Sequence, residues 1–223
     1  MFGKKKEQSV ETNGIVYRRA KTWRVALAGC SSGIGMCFYV LLGLASYVAN
    51  EGYGIATAVV GIILTATRIL DGVTDPIIAI IIAKMNTRFG KIRILMVAGW
   101  LIESLAVLIM YCWASGKGHG IVLFVLLYCL YVIGYTMCNV TAQIVPAMLT
   151  NDPKQRPMVG VWSTAYNYLV PMILNIVITV ILLPKYGNVY SVEMLAASCI
   201  VCVAVSGVGL LLCSIAVSDI DKP

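Results

Sequence analysis

Charge is what this sequence has least of. Only 12% of its 223 residues are Asp, Glu, Lys or Arg, where a soluble domain carries about a quarter. A chain this poor in polar side chains cannot cover a water-facing exterior, so a soluble globular fold is excluded. Histidine is nearly missing too. His119 is the only one, in a stretch that reads as a loop, which removes any serine–histidine couple inside an apolar segment. Metal-ligand clusters are equally scarce. One CxxC is present, Cys199-Ile-Val-Cys202, with no second CxxC or nearby histidine to complete a four-ligand zinc site. It also lacks the βαβ surroundings of a thioredoxin-like redox pair. All eight cysteines fall within apolar stretches, where the thiol acts as a small apolar group, so packing is the expected role.

What the sequence has is hydrophobic length. Apolar residues make up 60% of it, with a mean hydropathy of +0.88. A membrane-spanning helix takes roughly 20 apolar residues. Six such stretches use nearly the whole chain: Trp23–Ala49, Ile55–Ala83, Ile92–Ala114, Ile121–Leu149, Met158–Leu183 and Val192–Val217. The first is too long, and too poor in cleavage-site features, to read as a removable signal peptide. The expectation is an all-α membrane protein with a basic N-terminal segment over 1–21, a six-helix bundle over 22–217 and a short tail over 218–223. The polar opening, Met1–Lys21, is given no secondary structure.

A net charge of +7 invites a nucleic-acid partner, but its distribution argues against one. Lys4, Lys5, Lys6, Arg18, Arg19, Lys21 and Arg24 precede or open helix one. Lys84, Arg88, Lys91 and Arg93 lie between helices two and three, Lys154 and Arg156 between four and five, and Lys222 near the chain end. The opposite loops hold only Lys117 and Lys185. This asymmetry predicts that both termini and the even-to-odd loops are cytoplasmic. The same charges can contact anionic lipid.

Four ionisable residues stand where lipid should be. Helix two contains Arg68-Ile-Leu-Asp71-Gly-Val-Thr74-Asp75-Pro76. Spacings of three and four put Arg68, Asp71 and Asp75 on one helix face. Unpaired, three such charges cost on the order of 8–10 kcal/mol. They must therefore pair with one another or face water. Arg68 neutralises one carboxylate, and the remaining negative charge suits a monovalent cation or a proton. Pro76 cannot donate to the Gly72 carbonyl, which predicts irregular backbone and a free carbonyl beside the two carboxylates and the Thr74 hydroxyl. An inert ion-pair knot is the structural alternative. Helix four carries Thr136, Asn139 and Gln143 at similar spacing, and helix five carries Asn167, Pro171 and Asn175. These stripes either line a polar cavity or hydrogen-bond between helices. Glu103 lies ten residues past Arg93 on helix three, roughly 15 Å along the axis, with either a structural contact, such as one to another subunit, or a functional role. Gly29 and Gly33 on helix one form a GxxxG, the spacing for close helix contact.

Enzymatic activity is not expected. Asp71-Gly72 has the first two residues of the motif in six-helix phospholipid head-group transferases, but the Ala-Arg and later paired aspartates of that pattern are missing.

The helix-two stretch, followed by Asn86-Thr-Arg88-Phe-Gly90-Lys91-Ile-Arg93, resembles the glycoside–pentoside–hexuronide:cation symporters, the melibiose-permease-like branch of the major facilitator superfamily. Tyr17-Arg-Arg-Ala-Lys-Thr-Trp23 and Leu149-Thr-Asn151-Asp152-Pro-Lys-Gln-Arg156-Pro157 are similar to bacterial members as well. The resemblance runs from about Tyr17 to the C-terminus. It implies a Na⁺, Li⁺ or H⁺ site at Asp71 and Asp75, with Thr74 where melibiose permeases have an asparagine ligand, Thr136 as the helix-four threonine of that site, and Arg68 beside the pair. The chain departs from the family at the sugar subsite. No acid stands near Gly35, the helix-four aspartate is Asn139, and no arginine occurs between Val159 and Asn175. The family has twelve helices in two halves, and this chain matches the N-terminal half.

The resulting expectation is half of a major-facilitator-type transporter in the cell membrane, in bacteria the inner membrane. It would work as a cation-coupled symporter of a small solute, a sugar or glycoside by resemblance. Asn139, Gln143 and Asn167 would line its cavity, and Arg88, Lys91 and Arg93 would form a cytoplasmic gate. It would need no cofactor beyond the coupling ion. Its partners would be lipid, the solute and a second six-helix half, either another copy or a separately encoded chain. A fragment of a twelve-helix transporter fits the same features. Two other readings stay open: a proton-coupled exporter of apolar or cationic compounds, and a non-transporting membrane subunit.

Overall fold

Six helices long and apolar enough to cross a membrane account for most of the chain. They are α1 (Thr22–Gly52), α2 (Thr57–Lys84), α3 (Lys91–Leu108, continued by Ile109–Trp113), α4 (Gly120–Leu149), α5 (Arg156–Lys185) and α6 (Val192–Val217). The computed structural model describes residues 8–12, 15–84 and 90–218, with 8–12, 15–18, 70, 71, 79, 82, 83 and 91 described by backbone alone. The expected spans agree with these helices to within a few residues.

Two features differ from expectation. The opening segment holds an antiparallel hairpin, β1 (Gln8–Thr12) against β2 (Ile15–Arg19), with Gln8 opposite Arg19. Its sequence signal was the Asn13-Gly14 pair between stretches bearing Val10, Ile15, Val16 and Tyr17, a hairpin signature. The second difference is at Pro76. Helix α2 runs unbroken from Thr57 to Lys84 with Pro76 inside it, so the expected irregular backbone is not there. Lipid offers no alternative hydrogen-bond partner, so leaving the helix costs more than tolerating one missing bond. Pro146 and Pro171 are carried inside α4 and α5 in the same way.

The odd-numbered helices loosen at their far ends. Val48–Gly52, Ile109–Trp113 and Val177–Leu182 are π-helical turns, and the Ala114 N–H closes one of them on the Ile109 carbonyl at 2.8 Å. The ends of α1 and α3 meet where the Gly116 N–H donates to the Gly52 carbonyl at 2.8 Å. Tyr47 stacks on Tyr190 at the same end of the bundle, with ring centroids 4.2 Å apart.

Packing divides the helices into two groups. Helix α4 holds α3 and α2, while α1 holds α6 and α5. The groups join through α1–α4 and α3–α6 contacts. The Tyr131 hydroxyl donates to the Phe38 carbonyl at 3.4 Å, the Tyr111 hydroxyl to the Leu41 carbonyl at 2.5 Å, and Trp100 Nε1 to Ser206 Oγ at 2.9 Å. The GxxxG of α1 does make the expected close contact. A Cβ on Gly29 would lie 3.0 Å from the Trp162 backbone of α5, and one on Gly33 would lie 3.2 Å from Val170. Cys199 and Cys202 are fully buried in the core.

The tightest seam is α3 on α4. A Cβ on Gly134 would lie 2.6 Å from the Glu103 backbone nitrogen and 2.8 Å from its Cβ. Gly134→Ala should therefore lower the thermal unfolding temperature in detergent, overpacking of this kind costing about 1–3 kcal/mol. Gly61→Ala, with nothing within 4 Å, should leave it unchanged or slightly raised. Equal behaviour of the two variants would show that the seam yields freely.

Candidate functional site

The site begins with the stripe of α2 that packs on α4. Val60, Thr67 and Ile78 are buried and Thr74 is half-buried, at helical spacings of seven, seven and four. By backbone register Asp71 belongs to this stripe, between Thr67 and Thr74. Its side chain lies outside the described residues, and with it the expected ion pair to Arg68. One turn on, Thr74 Oγ1 lies 3.4 Å from Thr136 Oγ1, with Thr136 only 2% exposed. The two hydroxyls expected in one shell are thus brought together from two helices.

Arg68 and Asp75 share the adjacent stripe, and both are exposed in the single chain. Asp75 is seven residues from Arg68, roughly 10 Å along the axis. The stretch from Arg68 to Asp75 therefore lies well inside a helix roughly 42 Å long. On α4, Asn139 and Gln143 are exposed where Thr136 is buried, so the expected polar stripe divides. Its hydroxyl packs on α2 and its amides face outward beside it.

Helix α5 stands apart from this group, since it packs chiefly on α1. Asn167 is half-buried there. Asn175 Nδ2 donates to the Pro171 carbonyl at 2.8 Å, and Thr179 donates to the Asn175 carbonyl at 2.7 Å. These polar groups satisfy their own helix. The structure does not gather Asn167 with the helix-two residues. A shallow groove of about 360 Å³ is lined by Arg93, Ile94, Val97, Ala98 and Leu101 of α3 alone. None of Thr74, Asp75, Thr136, Asn139 or Gln143 lines it.

Glu103, for which the sequence left a structural contact and a functional role both open, is fully buried within this chain. Of the three gate residues, Arg93 is half-buried, Lys91 is described by backbone alone, and Arg88 lies outside the described residues.

A latch that sequence reading missed sits at the hairpin end. Arg19 pairs with Asp152 in the α4–α5 loop. The Ala20 N–H donates to Gln155 Oε1 at 3.0 Å, and Gln155 Nε2 donates back to the Ala20 carbonyl at 2.6 Å. The Asp152 carboxylate also accepts from the Lys154 N–H at 2.9 Å. That bond, followed by the Arg19 contact, holds its pKa below the usual carboxylate range. Sequence separation hid the latch, because Arg19 and Asp152 are 133 residues apart.

The sign of its pH dependence follows. A carboxylate whose folded pKa is depressed contributes stability above its unfolded pKa, about 3.9 for Asp, and loses it as pH falls through the folded value. Asp152→Asn should therefore lower the unfolding temperature at neutral pH and flatten its fall below about pH 4. Parallel acid limbs in wild type and variant would show that the latch is not titrating.

Known proteins supply the comparison. A family model described as MFS/sugar transport protein matches residues 28–220. The chain is 24% identical over 129 residues to a putative glycoside/cation symporter, YagG, of Escherichia coli (strain K12), which is 57% of this chain and 28% of that protein. It is 26% identical over 111 residues to the inner membrane symporter YicJ of the same organism, 49% of this chain and 24% of that one. Less than a third of either relative's length is covered.

Proposed function

The chain belongs to the MFS/sugar transport protein family, and on that premise we propose that it is the six-helix half of a cation-coupled symporter for a small solute. That it is a multi-pass membrane protein, in bacteria an inner-membrane one, is shown by its six apolar helices and its symporter relatives. The finer reading is our own. Asp71 and Asp75 bind Na⁺, Li⁺ or H⁺, the Thr74 and Thr136 hydroxyls complete the shell, and Arg68 balances the charge. Asn139, Gln143 and Asn167 face the solute, which we take as a sugar or glycoside from the names of the relatives. Arg88, Lys91 and Arg93 act as a cytoplasmic gate, and both termini lie in the cytoplasm, a reading supported by the excess of basic residues at that end.

One observation carries this proposal: α2 presents Arg68 and Asp75 on its outer side at membrane depth. Each such charge costs about 2.5–3.5 kcal/mol against lipid. Water in a transport cavity, or a facing protein surface, removes that cost. The exposed Asn139 and Gln143 beside them on α4 have the same need. A second six-helix unit across this face supplies the other cavity wall, since the halves of such transporters enclose the solute between them. Cation binding then favours the conformation with higher solute affinity.

The test is thermal unfolding of the purified protein in Na⁺, Li⁺ or choline at equal ionic strength and several pH values. A ligand that binds only the folded state stabilises by about 2.7 kcal/mol at a hundredfold excess over Kd. We expect a Na⁺- or Li⁺-specific rise in Tm that is lost in Asp71→Asn and Asp75→Asn, with cation-driven solute uptake in vesicles lost as well. Uptake that survives in Asp71→Asn at wild-type rate would rule out the cation role.

A further inference from the structure

Glu103 is a buried acid that the proposed transport site does not use. It sits midway along α3 with 0% of its surface exposed. Neither Oε1 nor Oε2 has a hydrogen-bond partner. Among the described residues, the titratable groups that face it are Cys138 and Tyr131 of α4 and Cys37 of α1, with Cys202 of α6 behind Cys37. All are neutral donors, and no lysine, arginine or histidine is among them. Each of the three nearest groups also has a backbone carbonyl within reach. Cys138 donates to the Met96 carbonyl at 3.9 Å, Tyr131 to the Phe38 carbonyl at 3.4 Å, and Cys37 to the Gly33 carbonyl at 3.3 Å.

An ionised carboxylate in that position would have no counter-charge among the described residues. A charge so placed neutralises rather than remain buried. The α3–α4 seam is closed at this residue: a Cβ on Gly134 would lie 2.6 Å from the Glu103 nitrogen and 2.8 Å from its Cβ, and the side chain has no exposed surface. Thr136 lies on another face of α4, where it meets Thr74, so Glu103 is separate from the proposed cation shell.

We propose that Glu103 is a proton-binding site. It is held as a carboxylic acid at neutral pH and loses its proton only when α3 parts from α4, so that proton release and opening of that seam form one equilibrium. The step is simple acid dissociation: the O–H bond breaks, the electron pair stays on the carboxylate and the proton passes to water admitted by the opened seam. The chain then has two acidic sites of different kinds, one reached at the exposed side of α2 and one sealed in the bundle. The sealed site stands or falls independently of the aspartate pair.

The experiment is infrared spectroscopy of the full chain in lipid at neutral pH, with glutamate labelled by ¹³C at its side-chain carboxyl. Five glutamates are present: Glu7, Glu11, Glu51, Glu103 and Glu193. Glu51 and Glu193 are exposed at helix ends. We expect one isotope-shifted carboxylic-acid carbonyl band, absent in Glu103→Gln and in Glu103→Asp, whose new acid is unlabelled. Transfer of wild type to D₂O should shift the band slowly. A folded wild type that shows only labelled carboxylate bands at neutral pH overturns the proposal, as does an acid band that persists in both variants. Immediate deuterium exchange overturns its link to the seam. The wild-type spectra decide the matter even where a variant fails to fold.

Discussion

Hydrocarbon offers no hydrogen-bond partner, and the rest of this structure follows from that constraint. Each backbone N–H and carbonyl must be satisfied within its own helix or by a neighbour. Helices therefore continue through Pro76, Pro146 and Pro171. Side-chain hydroxyls obey the same rule. Ser31 donates to the Ala28 carbonyl, Thr67 to Leu64, Thr141 to Cys138, Ser198 to Met194 and Ser206 to Val203. A hydroxyl that folds back on its own helix is neutral toward lipid and says nothing of function. The informative polar groups are those that do not fold back.

Assembly obeys a related constraint. Lipid tails are as apolar as leucine, so burying one more leucine gains little, and helices associate through close backbone approach and interhelical hydrogen bonds. Both devices appear where packing is tight. Glycines bring α1 onto α5 and α4 onto α3, and tyrosine hydroxyls of α3 and α4 reach carbonyls of α1. Helices α2 and α5 are the least buried of the six. Each leans mainly on one neighbour, α4 and α1 respectively. On α5 the outward polar groups Asn175 and Thr179 are satisfied by their own backbone. On α2 the outward groups are Arg68 and Asp75, which carry charge. The two peripheral helices are alike in burial and differ in chemistry, which is why the functional reading falls on α2.

The helices were legible because a spanning segment needs a run of apolar residues, and a run is a local property. The meeting of Thr74 with Thr136 was legible only through family resemblance, since spacing on one helix carries no information about the register of another. The N-terminal hairpin was written locally, in Asn13-Gly14 between β-forming residues, but was obscured by the basic residues around it. The Arg19–Asp152 latch could not be read at all. Both residues looked like topology signals or loop polarity, and only the bundle brings residues 133 positions apart into contact. Pro76 misled for a different reason. The missing N–H is real, but its effect on the backbone depends on what the surroundings offer in exchange.

Asp75 and Glu103 show how position alone divides one functional group into two roles. Both are carboxyls on membrane helices, and from sequence each is an expensive charge in the same medium. Asp75 stands on an exposed face with the Arg68 charge two turns away on the same stripe. Ionisation is tolerable there wherever water or a partner covers the helix, and the group can exchange an ion without disturbing the bundle. Glu103 stands in the tightest seam, among thiols and a phenol already committed to carbonyls. For it to ionise, helices must move. An exposed acid can therefore serve ion exchange at fixed structure, while a sealed acid ties its protonation to structure itself. On the proposed reading, the first kind of site takes the coupling ion and the second reports the conformation.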